Sequence, residues 1–244
     1  MRDQLLEIVQ HTHALGIDLV KVEGTDSETV VTAIANEREA MVDGKFKRIV
    51  GEFVGNFGMP QISPLNTILN IPEYKEDAKT TIKKDSTGQP EGVHFENKTG
   101  DFENNYRFMS ANIVNDKLKK FKFRGVKWGV EVEPTNLSIQ RLKFQASANS
   151  EQTTFTAKTE NGSLKFYFGD HSSHAGDFVF ATNVSGSFSK PWAWPIQAII
   201  NILSLPGDKK LSFSDEGAAQ VVVDSGAAVW TYIIPAQTKW VKTI

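Results

Sequence analysis

The sequence contains no cysteine, which excludes a disulfide framework and any thiolate-held metal. It has no run of about 18 apolar residues, the length a membrane-spanning helix needs, and Met1-Arg2-Asp3-Gln4 opens no apolar stretch of signal-peptide type. These absences lead to the expectation of a soluble protein of a reducing cytoplasm that does not act at a membrane. Charge of one sign is also missing. With 27 basic and 29 acidic side chains the net charge is −2, so there is no global attraction to nucleic acid or to an anionic surface. Any contact with a polyanion has to be local or topological.

Signatures of bond chemistry are absent too. Gly51 to Gly58 is glycine-rich, but no Gly-Lys-Ser/Thr follows, so it is not a phosphate loop. No nucleophile elbow and no zinc-protease helix occurs. His171 and His174, flanked by Asp170 and Asp177, have a spacing that could hold a metal but lack a third ligand pattern. Asn97, Thr99, Asp101 and Glu103 alternate oxygen ligands, yet a β turn accounts for them and the glycine of a calcium loop is misplaced. His11 and His13, two apart on a helix, point to different faces and read as surface histidines. The reading is of a protein that is not an enzyme and has neither cofactor nor metal.

What is present is enough apolar material for a real core: 40% hydrophobic residues, with 16 Phe and 5 Trp in 244 residues. That length suits one large β domain or two of about 120 residues. Helix spacing of Leu5, Ile8, Val9 and Leu15, closed by Gly16, predicts a helix over Arg2 to Leu15. Short β runs follow at 18–23, 29–35, 38–42 and 46–54. A second helix is expected from Pro60 to Asn70, ended by Pro72, and then strands at 79–84, 92–97 and 102–109. Residues 111–120 are polar around Ile113, Val114 and Leu118 and suit a connector.

The plan then repeats. A strand at 128–133 leads to a helix at 136–148, strands at 153–159, 163–169, 177–182 and 186–190, a helix at 192–205, and strands at 209–214, 218–224 and 227–235. The turn Asp224-Ser225-Gly226 joins the last two. The predicted domains are 1–110 and 128–244, joined by 111–127. Lys117, Lys119, Lys120, Lys122, Arg124 and Lys127 interleave with Phe121 and Phe123. Such a run fits an aromatic-basic nucleic-acid surface, or a connector entering a sheet with one side buried and its basic side solvated.

This order of elements resembles the sliding clamps that make DNA polymerases processive. Gly55-Asn56-Phe57-Gly58-Met59-Pro60 running into Pro64-Leu65-Asn66-Thr67-Ile68-Leu69 is similar to the clamp segment where a strand turns into the second inner helix. Gly186 to Lys190 leading into Ile196 to Leu203 is similar to its counterpart, and Val229-Trp230-Thr231-Tyr232-Ile233-Ile234-Pro235-Ala236 to the last clamp strand. Two domains per chain and a short connector are most similar to tailed-phage clamps.

The resemblance implies an α+β fold of two clamp domains, with antiparallel β-sheets outside and two α-helices per domain lining a central pore. It implies a homotrimeric ring that encircles double-stranded DNA without sequence preference and tethers a DNA polymerase, with a clamp loader as a further partner, in the cytoplasm or, for a virus, the host cytoplasm. It implies pore contacts from Arg141, Lys143, Gln145, Gln197 and Asn201, with Ile139, Leu142 and Ala146 turned to the sheet. Arg141 also fits an ordinary solvated helix charge. It implies a pocket for partner peptides from Ile113, Val114 and Leu118 with Tyr232, Ile234 and Pro235. Subunit contact would use Phe102, Tyr106 and Phe108 on one edge and Phe178 and Phe180 on the other. A non-enzymatic structural β-rich protein of a phage or cell assembly is the alternative.

Overall fold

The computed structural model describes residues 1–35, 39–118, 123–169 and 174–237. The chain divides into two compact units. Unit 1 is Met1–Phe123 with Asp224–Trp230, and unit 2 is Arg124–Val223 with Thr231–Ile244.

Unit 1 runs α1 (Arg2–Thr12), β1 (Leu19–Gly24), β2 (Thr29–Ile34), β3 (Met41–Phe46), β4 (Gly55–Pro60), α2 (Ile62–Asn70), β5 (Lys79–Lys84), β6 (Pro90–Glu96), β7 (Glu103–Arg107), β8 (Met109–Ser110) and α3 (Ala111–Lys117). Antiparallel pairing gives the order β8-β4-β1-β2-β3 and a separate sheet β5-β6-β7. The alternation of β2 buries Thr29, Val31 and Ala33 on one face, as a strand with one packed side requires. Helix α1 buries Leu5, Ile8 and Val9 and lies against α2, which buries Ile62, Leu65 and Leu69.

Unit 2 runs β9 (Val130–Val132), α4 (Asn136–Ala148), β10 (Thr154–Glu160), β11 (Ser163–Phe168), β12 (Gly176–Thr182), β13 (Ala193–Pro195), α5 (Ile196–Leu203), β14 (Asp208–Ser214) and β15 (Ala218–Asp224). The final strand β16 (Ala228–Pro235) begins in unit 1 and ends in unit 2. One sheet has the order β12-β11-β10-β13, and β15, β14 and β9 are neighbours in another. The core of this unit is aromatic: Phe155, Phe166, Phe168, Phe188, Trp194 and Phe213 are almost fully buried. Phe188 stacks on Phe213 at 5.5 Å and Phe166 on Phe180 at 4.4 Å. Each such ring contributes about 1.5–3 kcal/mol by leaving water.

Several expected boundaries differ from the observed ones. The two strands expected at 38–42 and 46–54 are one strand, β3, because Val50 to Val54 forms a 3-10 turn that buries Phe53 instead of extending; Arg38 lies outside the described residues. The expected connector opens as the short helix α3, and Val114 anchors it. The expected strand at 186–190 makes only an isolated bridge at Gly186. There Phe188 exchanges backbone and hydroxyl bonds with Thr159 instead. The first four residues of the helix expected at 192–205 are split between a loop and β13, and α5 starts only at Ile196.

Candidate functional site

Helix α4 starts where a capping box fixes it. Thr135 Oγ1 accepts from the Ser138 amide at 3.1 Å, and the Thr135 amide donates to Ser138 Oγ at 3.0 Å. Such reciprocal bonds satisfy amides that a helix start leaves open. Ser138, Ile139 and Leu142 are buried and Ala146 is half-buried, as their spacing predicts. Gln145 joins this packed stripe: its amide oxygen takes a bond from Asn149 Nδ2 at 3.2 Å and lies over Gly176 of β12. The rest of the helix surface exposes Arg141 and, on its other flank, Lys143. The same surface carries two residues the sequence reading did not single out, Leu137 at 57% exposure and Phe144 at 71%. The helical wheel that placed Ile139, Leu142 and Ala146 inward already left both outside.

The other three long helices are chemically different. On α5, Gln197 is exposed and Asn201 half-exposed, and Gln197 Nε2 donates to Asn201 Oδ1 at 2.6 Å. Ser204 Oγ, just past its end, donates back to the Ile200 carbonyl. On α2, Thr67 and Asn70 donate to the carbonyls of Ser63 and Asn66. These polar groups are therefore engaged with their own helices. The single arginine of α1, Arg2, donates to the Leu69 carbonyl at 2.7 Å.

Helix α1 also corrects the reading of His11 as a surface group. His11 is 1% exposed and stacks on Trp230 with centroids 4.5 Å apart and planes 4° from parallel. Glu7 Oε1 accepts from Trp230 Nε1 at 2.7 Å and from Ser225 Oγ at 2.5 Å, and lies 3.4 Å from His11 Nε2. Two polar residues thus occupy an inward face because a tryptophan N–H needs an acceptor there. The indole fits only because residue 44 has no side chain: a Cβ on Gly44 would lie 2.4 Å from the ring.

The connector residues separate by burial. Val114 is fully buried over Gly58, where an added Cβ would sit 2.9 Å from its Cγ2, whereas Ile113 is 50% exposed and Leu118 half-buried. Ile113 borders a cavity of about 500 Å³ with Asn56, Pro90, Arg107 and Phe108. In the last strand Tyr232 and Ile234 are fully buried and Pro235 is exposed.

Strands β7 and β12 each end their sheet. Of the aromatics on or directly beside them, Tyr106, Phe108 and Phe180 are buried, Phe178 is half-buried and Phe102 is 39% exposed. Phe108 stacks on Phe57 at 4.4 Å, and the Tyr106 hydroxyl donates to the Pro60 carbonyl. Burial also pushes the Tyr106 phenol above its ordinary range. Glu103, Asn105 and Arg107 are exposed on one edge and Asp177 and Thr182 on the other. A hollow of about 470 Å³ beside β7 is lined by Pro64 and Ile68 of α2 with Asn105 and Tyr106.

Residues 170–173, with His171, lie outside the described residues. Among the described residues no grouping of three or more His, Asp or Glu side chains could hold a metal ion. The 97–103 turn is closed internally: Asn97 Oδ1 accepts the amides of Gly100, Asp101 and Phe102, and its Nδ2 donates to Glu73, Thr99 and Asp101. No described helix is long and apolar enough to cross a membrane.

A mixed α+β chain with these antiparallel sheets and paired helices has the fold of the DNA sliding clamps. The chain superposes on the A. fulgidus PCNA bound to the C-terminal region of FEN-1 with a TM-score of 0.72, at 9% identity over 98% of this chain and 96% of that one. PCNA of Thermococcus kodakaraensis gives 0.69 at 11% identity, covering 97% of both chains. The PCNA2–PCNA3 complex of Sulfolobus tokodaii gives 0.66 at 11% identity, covering 96% of both. No family model matches the sequence, and no curated protein does.

Proposed function

We propose that this protein is a sliding clamp of the two-domain type, most like those of tailed phages. Three copies close into a ring around double-stranded DNA and hold a DNA polymerase on its template. The observation that carries this reading is the end-to-end likeness to solved clamps, 96–98% of the chain. The edge strands β7 and β12 support it, since an unpaired strand edge is an association hazard that ring closure removes. In the ring, β7 of one protomer pairs with β12 of the next. No bond chemistry is required: encirclement raises the local concentration of a tethered enzyme without tight contact. Sparse positive charge on the helices suits that, because phosphate contacts that are weak and sequence-independent let a protein slide.

Arg141 and Lys143 supply the phosphate contacts, with Gln197 and Asn201 as neutral neighbours. Ile113 and its adjoining cavity receive the apolar anchor of a partner's tail peptide, from polymerase or clamp loader. The A. fulgidus protein is bound by the C-terminal region of FEN-1. The test combines native mass with polymerase product length on a primed circle. The reading expects a species of three chains and longer products when the protein is added. Ile113→Asp should shorten the products and leave the three-chain species intact. A protein that stays monomeric at all concentrations and leaves product length unchanged would sink the reading.

A further inference from the structure

Resting on the clamp reading, we infer that α4 carries a contact for single-stranded DNA: Phe144 stacks on an unpaired base while Arg141 holds the adjoining phosphate and Leu137 flanks the sugar. Phe144 and Leu137 are the two most exposed large apolar side chains among the described residues. They are two helical turns apart, about 10.5 Å along the axis, and Arg141, four residues after Leu137 and three before Phe144, neighbours both on the helix surface. The rest of the unit shows how readily this chain buries phenylalanine: Phe155, Phe166, Phe168, Phe180, Phe188 and Phe213 are each under 5% exposed. Phe144 stands in the middle of a regular helix with its ring in water.

The occupant follows from charge and shape. From Asn136 to Ala148 the helix carries Arg141 and Lys143 and no acidic residue, which complements a polyanion. A duplex turns phosphates and sugars outward and hides the faces of its bases, so an aromatic ring gains little from it. An unpaired nucleotide presents a π-face, and base–aromatic stacking is tolerant of sequence. A surface with a cation and an exposed ring therefore favours the strand beyond a primer end over the duplex behind it. The clamp would then distinguish a junction from uninterrupted duplex while remaining free to slide on the latter.

The intact protein is titrated against a labelled oligo(dT) and a blunt duplex of equal length, by fluorescence anisotropy at several salt concentrations. Phe144→Ala should weaken oligo(dT) binding by about 5- to 150-fold, the equivalent of about 1–3 kcal/mol per stacked base, and change duplex binding by less than about twofold. Phe144→Trp should bind oligo(dT) at least as well as the wild type. Arg141→Ala should weaken both and lower the salt slope by about 0.7–0.9, one phosphate contact.

Equal losses on both probes, no loss on either, or a wild type that binds neither would overturn the inference. So would a change of oligomeric state in Phe144→Ala, which would assign the stripe to a second copy of the chain. Native mass and product length are recorded on the same samples. A wild type that forms rings and stimulates polymerase with no effect at Phe144 overturns this inference alone. A wild type that does neither removes the clamp reading itself.

Discussion

Helices α1 and α4 open corresponding stretches of the two units and put different chemistry on their inward faces. Helix α1 turns Glu7 and His11 inward onto Trp230 and Ser225. Helix α4 keeps its charges outside and leaves two apolar side chains with them. A shared order of elements therefore does not carry a shared surface. In α1 a buried indole N–H dictates the inward face, because an unmet donor would cost about 1–3 kcal/mol. In α4 the inward stripe is met by Ser138, Ile139, Leu142 and Gln145, and Leu137 and Phe144 stay exposed.

The largest effect that could break this contrast is in unit 1. Trp230→Ala removes the partner of both inward polar groups and a fully buried ring, and should lower unfolding free energy by about 3–5 kcal/mol, read from the denaturant midpoint. An effect below about 1 kcal/mol would mean that the inward face of α1 is not held by the indole. Gly44→Ala, which forces a Cβ into that ring, should destabilise by about 1–3 kcal/mol in the same assay. Arg141→Ala, by contrast, should change stability by no more than about 0.5 kcal/mol, as an exposed helix charge does. A larger loss would show that α4's outer face is structural.

The smallest effect concerns acid stability. In unit 2, hydrogen bonds from Lys158 and Tyr167 hold the Glu160 carboxyl down to about 2. A carboxyl lower in the folded than in the unfolded chain stabilises fully above its unfolded value, about 4.3, and loses that contribution as pH falls towards 2. Glu160→Gln should flatten the decline of the urea midpoint between those limits. Wild-type and variant curves of the same slope would refute the assignment.

Much of the fold was legible because local chemistry and tertiary packing agree. Helix α4 falls at 136–148 as read, since Thr135 caps it and its apolar period is clean; β5 falls at 79–84, bounded by polar turns. Agreement failed where a single apolar residue decided the outcome. Val114 alone draws 111–117 into a helix over Gly58, and Phe53 alone bends 51–53 out of a strand. The candidate site was half legible. Arg141 and Lys143 stand exposed where spacing puts them, but periodicity cannot say that Tyr106, Phe108, Phe180, Tyr232 and Ile234 are consumed by their own cores. Nor does a polar Glu7–His11 pair announce a tryptophan more than 200 positions away along the chain.

Because the chain has no cysteine, ring closure can be tested on a clean background. Asn105→Cys on β7 and Val179→Cys on β12 are placed in one chain, joined by a short bis-maleimide after the protein is mixed with polymerase, loader and nicked circular DNA. The clamp account predicts a covalent species of three chains that stays with the circle in detergent and is released when the circle is cut once. Products no larger than one chain, or a three-chain species that detergent removes equally from circular and linear DNA, would contradict it.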